Sequence, residues 1–507
     1  MNSTLKRIVA CALIAGMAAG LTACEEEGAN PNAGGSTPAT SSEIQTAATT
    51  ADPDMALDQT DKAADVVGTD NYKPSGNAGL VKVFSHYQVA NDQKGTEQCL
   101  VFQGEQYGGQ IEHIQGNSGS AYYEKLGTLI ASDESPDICL KDAFLYPGTV
   151  SKNMFEPLDD YIDMNSALWA GMKDVIEGYE YKGKHYYYPH KLTTSFAVNY
   201  SKTTIAENNL DDPYELYMNN EWTWDKFREM MVTFCDKADG NIGYFATNTT
   251  ASAIVGTTGT PFIDVKSDGT MSNNLNNENV TRAMGFFEEL YREGLPYQLN
   301  KIGGDWIDPS DYPTYSDKIL FYLMEPEWSY TSLSEKTQNK EGVKDDIFDT
   351  PSDYAFVPLP RDPNDDAYYQ ELDTYGFLIP KGAKNITGAI DFINCFRVYE
   401  TDPEIIAKVK EDHINPKPIY FKADHKKYPG ERRWVITWDE KQYDLWMDMM
   451  DPEKFTFLFE GGYGFTKDFE DGLFGLVTNV AFEGESWAQK SAEFAPVVES
   501  TFSDFAF

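Results

Sequence analysis

The sequence predicts an α/β fold built on a mostly parallel sheet. Three observations carry that expectation. Short β-branched apolar runs alternate with helix-periodic stretches from Gly79 onward, the succession that βαβ units require. The run Lys318–Met324 (KILFYLM) is almost continuously apolar, as in a strand buried on both faces. Residues able to cap helices stand immediately before the periodic stretches.

The elements follow in order. Val81–Phe84 (VKVF) and Ile111–Ile114 read as strands. Ser118 can cap a helix that brings Tyr122, Leu126, Leu129 and Ile130 onto one face. Pro136–Leu140 (PDICL) is the next strand, and a tight turn at Lys182–Gly183 precedes the strand Ser195–Tyr200 (SFAVNY). Thr223 can cap a helix burying Phe227, Met230, Met231 and Phe234, and Asn277 a longer one ended by Gly294. After the strand at 318–324 come DYAFVPLP and TYGFLIP, then helices from Asn385 and from Pro403. The C-terminal third is mixed helix and loop, most aromatic in FLFEGGYGFTKDFEDGL, and no internal repeat is present.

At 507 residues the chain has room for two large domains or three smaller ones. Lys and Arg number 41 against 81 Asp and Glu, a net charge of −40. So acidic a chain is unsuited to gripping phosphate backbones or an anionic membrane surface, so no nucleic-acid partner is expected. Aromatic residues make up 14% of the chain, enough for a large core and for surfaces that stack on a ligand. The six His show no ligand spacing, and Cys99, Cys139, Cys235 and Cys395 form no CxxC pair. Neither a metal site nor a cofactor is expected, and Cys139 and Cys395 read as buried thiols.

The first 24 residues read as an address rather than as fold. Lys6 and Arg7 precede the apolar stretch Ile8–Leu21, which is too short to span a bilayer. LTAC, Leu21–Cys24, resembles the lipobox of bacterial lipoproteins, which implies a signal peptide over 1–23 and lipid on Cys24. Residues 24–78 are poor in apolar side chains, with Tyr72 their one aromatic. They read as a disordered linker spanning roughly 40 Å. The expected location is the cell membrane, lipid-anchored on its extracytoplasmic side.

The ordered set SPDIC, FEPLDDYID, YKGKHYYYPHKLTTSFAVNYSK, DDPYELYMNNEWTWDKF, KILFYLMEPEW and FVPLPRDP followed by YGFLIPKGAKN resembles the bacterial extracellular solute-binding proteins of family 1. That group includes the maltodextrin-binding proteins and feeds ABC importers. The resemblance implies a two-lobed, type II periplasmic-binding-protein-like fold with a hinge and an interlobe ligand cleft. It places lobe 1 at 79–190 and 329–400 and lobe 2 at 194–325 and 403–507, with crossings near His190–Thr194, Glu325–Trp328 and Glu400–Pro403. It implies a monomer that takes up a carbohydrate, most simply an oligosaccharide, and delivers it to importer permease subunits.

Sugar binding needs flat aromatic faces and a few polar groups for hydroxyls. The resemblance sets Trp328 at the family's ligand tryptophan, Lys141 and Asp142 in the loop facing the cleft, and Tyr87 among ligand contacts after the first strand. Tyr463 and Phe465 of GGYGF, and Asp305 and Trp306 of GGDWID, complete the candidates. Trp222 and Trp224 are assigned to seating a helix. No catalytic residues are expected: GYEYKGKH fits GxxxxGK but ends in His and precedes a strand, and GNSGS is not GxSxG. The rival class is a lipid-anchored glycoside hydrolase, which would need two carboxylates set across a cleft.

Overall fold

The computed structural model describes residues 72–86, 89, 97–117, 120–142, 148–297, 318–326, 353–416, 419–420, 432–433 and 437–505. Cys24, Tyr87, Asp305, Trp306 and Trp328 lie outside these residues, as do residues 1–71.

Strands β1 (Gly79–Ser85), β2 (Gly109–Gln115), β3 (Ile138–Leu140) and β4 (Tyr188–Thr194) open a first sheet. The chain then crosses at Ser195–Phe196 to β5 (Ala197–Ser201), β6 (Ile242–Phe245), β7 (Ile319–Met324) and β8 (Tyr354–Val357), which form a second. It returns with β9 (Tyr369–Leu378) and later β10 (Thr456–Leu458), which complete the first. Parallel pairing holds for β1 with β2 and β3, for β6 with β7 and for β9 with β10. β5 and β9 run against their other neighbours. Both sheets are therefore mixed rather than mostly parallel, because the strands entering each sheet after a crossing run back along it.

Among the described residues, the α-helices of seven residues or more are α1 (Glu97–Gln103), α2 (Ser120–Ala131), α3 (Trp224–Cys235), α4 (Asn248–Gly256), α5 (Glu278–Arg292), α6 (Ile386–Thr401), α7 (Pro403–Ile414), α8 (Glu440–Asp448), α9 (Lys467–Glu483) and α10 (Trp487–Phe505). Their starts follow local chemistry. Thr223 accepts from the Lys226 N–H, Asn277 from that of Asn279, and Asn385 from that of Gly388. α5 stops where Gly294 takes a positive φ of 72°. β7 is buried along its whole length.

Each sheet has its own core. Val81, Val83, Ile138, Phe377, Phe392 and Phe396 fill the first, and Phe227, Tyr244, Phe245, Phe321 and Leu323 the second. Asp137 ties the first together by accepting from the backbone N–H of Lys82, Lys384 and Asn385. Trp222 and Trp224 are buried and donate to Pro358 O and Thr257 Oγ1, the seating role expected of them. Cys99, Cys139, Cys235 and Cys395 are free thiols.

Two boundaries shift from the sequence reading. Within 329–400, β8 pairs with β5 of the second sheet, so the return falls after Val357 rather than near Glu325–Trp328. A strand's lobe is set by its hydrogen-bonded neighbour, which the apolar pattern of DYAFVPLP does not name. Packed structure also begins before the boundary expected at residue 78. Tyr72 Oη donates to Asp391 Oδ1 at 2.5 Å and Ser75 bonds the same carboxylate, laying the segment onto α6.

Candidate functional site

The carboxyl ends of β1 and β3 lie side by side, since the two strands are parallel. In open α/β sheets that edge is where ligands collect. His86 follows β1 and Lys141–Asp142 follow β3. His86 Nδ1 and Asp142 Oδ2 are 3.4 Å apart with both side chains sealed from solvent. Tyr123 Oη donates to Asp142 O at 3.1 Å and accepts from the Asp142 N–H at the same distance. Burial pushes the Tyr123 phenol well above its ordinary value.

Lys141 is held toward β9. Its ammonium donates to Thr374 O at 3.4 Å and lies 3.7 Å from Asp373 Oδ1. Burial pulls this ammonium down, but Tyr179, Asp373 and Asp142 outweigh burial and hold it above the usual lysine value. Asp373 also accepts from Tyr375 Oη at 2.8 Å. Tyr179 shares a 3.1 Å hydrogen bond with Thr374 Oγ1 and packs edge-on against Tyr187 and Phe459. This wall thus combines aromatic faces, hydroxyls, a carboxylate pair and one ammonium.

The opposite wall is the turn Gly461–Gly464 and the start of α9, where Thr466 caps Phe469. Glu460 fixes that turn: its carboxylate accepts from the N–H groups of Phe262, Ile263 and Gly462 at 2.7, 3.1 and 2.7 Å. The Tyr463 ring stacks on Phe474 at 4.6 Å. Its phenol is pushed well above 10, by burial first and then by Glu371 and Glu460. The walls meet at Gly148, where an added Cβ would lie 2.3 Å from Gly464 O. Lys152 reaches over the Phe505 ring at 5.4 Å. Among the described residues no group of three His, Cys, Asp or Glu is arranged to hold a metal ion, and no helix is long and apolar enough to cross a membrane.

The family profile of the bacterial extracellular solute-binding proteins matches residues 101–407. The chain belongs to that family. No significant sequence match to a curated protein is found. Solved structures share the fold of this solute-binding protein at low identity. An ABC substrate-binding protein of Listeria monocytogenes, solved with cycloalternan, has a TM-score of 0.55 and 12% identity, over 84% of this chain and 99% of that one. The galacto-N-biose/lacto-N-biose I-binding protein of Bifidobacterium longum has a TM-score of 0.57 and 12% identity, over 84% and 98%. The sugar-binding protein MalE of Xanthomonas citri has a TM-score of 0.56 and 14% identity, over 84% and 98%.

Of the sequence candidates, the solute-binding protein brings Lys141, Asp142 and Tyr463 to the meeting of the lobes. Phe465 is a correction. It is buried among Phe469, Phe502 and Phe505, because the turn after Gly464 directs it into the core beneath α9 and α10. Sequence reasoning missed His86, Tyr179, Glu371, Glu460 and Glu470. A signal existed for His86, which directly follows a strand at the sheet edge where ligands bind. Glu460 and Glu470 lie in the same aromatic stretch as Tyr463, but only the fold reveals what they face.

Proposed function

We propose that the chain captures a carbohydrate, an oligosaccharide, between its lobes and hands it to the permease subunits of an ABC importer. It does so as a monomer tethered to the outer membrane face by lipid on Cys24. The observation that carries this reading is the first-lobe wall. Tyr179 and Phe459 offer ring faces beside Lys141 and Asp373, the mixture that sugar faces and hydroxyls require. The sugars bound by the structural neighbours support it. The lobes are taken as 79–194 with 369–401, and 197–357 with 415–505, joined through Ser195–Phe196, 358–368 and α7, with β10 lent back to the first sheet. Trp328, Tyr87, Asp305 and Trp306 remain proposed cleft residues.

The test is a thermal-shift panel of maltotriose, mannotriose, lacto-N-biose, amino acids and polyamines, with product analysis on each sugar. Binding to the native state alone raises stability by about 2.7 kcal/mol at a hundredfold excess over Kd. Protection by a sugar without turnover supports the reading. Turnover identifies a glycoside hydrolase, and protection by amino acids alone overturns the carbohydrate assignment. Fractionation of Cys24→Ser tests the anchor: release from membranes is expected, and retention with lipid would refute it.

A further inference from the structure

β3 stops at Leu140, but β9, which runs antiparallel to it, continues past that end. Phe377 pairs with Leu140, so Asp373 and Thr374 lie beyond the carboxyl end of β3, in the crevice where open α/β sheets take their ligands. β4 covers one edge of β9 there, with Asp373 opposite Thr193. Lys141 runs along the other edge. Its N–H donates to Gly376 O at 2.9 Å and its ammonium to Thr374 O at 3.4 Å.

The ammonium and the Asp373 carboxylate face each other across 3.7 Å, with 23% and 38% of their side chains exposed. Asp373 Oδ1 accepts from the Thr374 N–H and Oδ2 from Tyr375 Oη, both at 2.8 Å. Each partner is thus anchored by its own bonds, and the two stand slightly apart and within reach of solvent. Each also keeps capacity for a ligand, since an ammonium has three donors and a carboxylate about four acceptor positions. A sugar hydroxyl set between them can accept from Lys141 and donate to Asp373 at about 2.8 Å from each. Beside the pair stands the half-buried corner of Tyr179 and Phe459, whose rings meet edge-on at 5.3 Å. The Phe459 ring lies directly on the backbone of Gly178, where an added Cβ would meet it at 2.3 Å.

Charge decides which sugars suit this place. Lys141 keeps its proton, because Tyr179, Asp373 and Asp142 outweigh the effect of burial. Its charge is met by Asp373. A ligand carboxylate reaching for Lys141 would come to rest beside Asp373, and like charges set side by side in an interface oppose binding. Building on the carbohydrate reading, we propose that Asp373, by matching Lys141, makes the cleft selective for neutral sugars. A free hydroxyl is read between the two side chains, and a sugar carrying a carboxylate there is refused. Asp373→Asn keeps the shape and removes the opposing charge, so that Lys141 can take an anion. Lys141→Met does the reverse and leaves Asp373 unmatched.

The experiment is calorimetric titration of the full chain with maltotriose, mannotriose and lacto-N-biose, each in its neutral form and with its primary hydroxyls oxidised to carboxylates. The wild type is expected to bind the neutral form of the sugar it recognises at least about tenfold more tightly than the oxidised form. Asp373→Asn should cut that ratio at least about tenfold, chiefly by gaining affinity for the oxidised sugar. Lys141→Met should weaken the neutral sugar and keep or widen the ratio. A merely structural pair would move both affinities together and leave the ratio alone. Melting curves without ligand verify folding, and Asp373→Ser removes the same charge should Asp373→Asn not fold. Equal affinity for the two forms in the wild type overturns the proposal, as does an unchanged ratio in a folded Asp373 variant. Either result alongside neutral binding leaves the carbohydrate reading standing, whereas no binding of any sugar overturns both.

Discussion

Gly148 of the first lobe lies against the backbone of Gly464 in the second so closely that a Cβ at 148 would sit 2.3 Å from the Gly464 oxygen. Backbone cannot swing aside as a side-chain tip can, so the lobes themselves must give way. Gly148→Val is expected to hold them apart. Its radius of gyration should exceed that of the wild type, and affinity for the sugar selected by the thermal panel should fall at least about tenfold, or 1.4 kcal/mol. Ligand-free melting should change little if the strain is relieved by opening. An unchanged radius with a large drop in melting temperature would show instead that the contact belongs to a rigid core.

Tyr463 and Phe465, two residues apart, should respond in opposite ways. Phe465 is packed on all sides by Phe469, Phe502 and Phe505, and truncation to Ala should cost about 3–5 kcal/mol of stability. Tyr463→Phe keeps the ring on Phe474 and removes only a hydroxyl among carboxylates. It should leave melting nearly unchanged and weaken sugar binding. Chemical denaturation and calorimetric titration on both variants separate the roles. Equal affinity in Tyr463→Phe and wild type would remove the Tyr463 hydroxyl from the site.

What the sequence revealed was local. Thr223, Asn277 and Asn385 cap helices through bonds that reach two or three residues along the chain, so neighbouring residues suffice to foresee them. β7 was legible because a strand buried on both faces needs apolar side chains on both. The lobe of Tyr354–Val357 was not legible, because it depends on pairing with Ala197–Ser201, more than 150 residues away. The cluster of Glu371, Glu460 and Glu470 was hidden for a related reason. Among 81 acidic residues nothing in composition or spacing marks three that the fold will set, half-buried, near Tyr463. Lys141 and Asp142 stood out only through the resemblance, which sets the loop after Pro136–Leu140 against the cleft, whereas Phe465 looked like a loop aromatic until the packing of α9 and α10 was known.

Asp391 fastens the segment that leads into β1. It is buried and takes hydrogen bonds from the Tyr72 hydroxyl and from the Ser75 hydroxyl and N–H. Bonds to a charged group contribute about 1.5–3 kcal/mol each when buried. Asp391→Ala should therefore release residues 72–78 and lower global stability by a few kcal/mol. Limited proteolysis followed by mass spectrometry should show faster cleavage near Lys73 in the variant. An unchanged cleavage rate would mean that the arm is held by its apolar contacts alone.

Folding stability should depend on pH through Glu371 and Glu460. Glu371 and Glu460 are raised in the folded protein, to about 8 and about 7, whereas the unfolded chain leaves glutamate near ~4.3. The folded state then binds protons more tightly than the unfolded state across this interval. The stabilisation from these two groups is fully present below about pH 4.3 and is lost as pH rises, first through about 7 and then through about 8. Other groups add their own slopes, Asp159 among them, whose carboxyl is lowered by its bonds to His185 against the opposing effect of burial. The decisive comparison is therefore between variants. Glu371→Gln should melt closest to wild type near pH 4 and rise progressively above it toward pH 9, as the wild type comes to hold an ionised carboxylate with no hydrogen-bond donor among the described residues. Melting curves of the two proteins at half-unit steps from pH 4 to pH 9 measure that divergence. Parallel curves would show that Glu371 stays solvated in the folded chain and that its surroundings do not hold its proton.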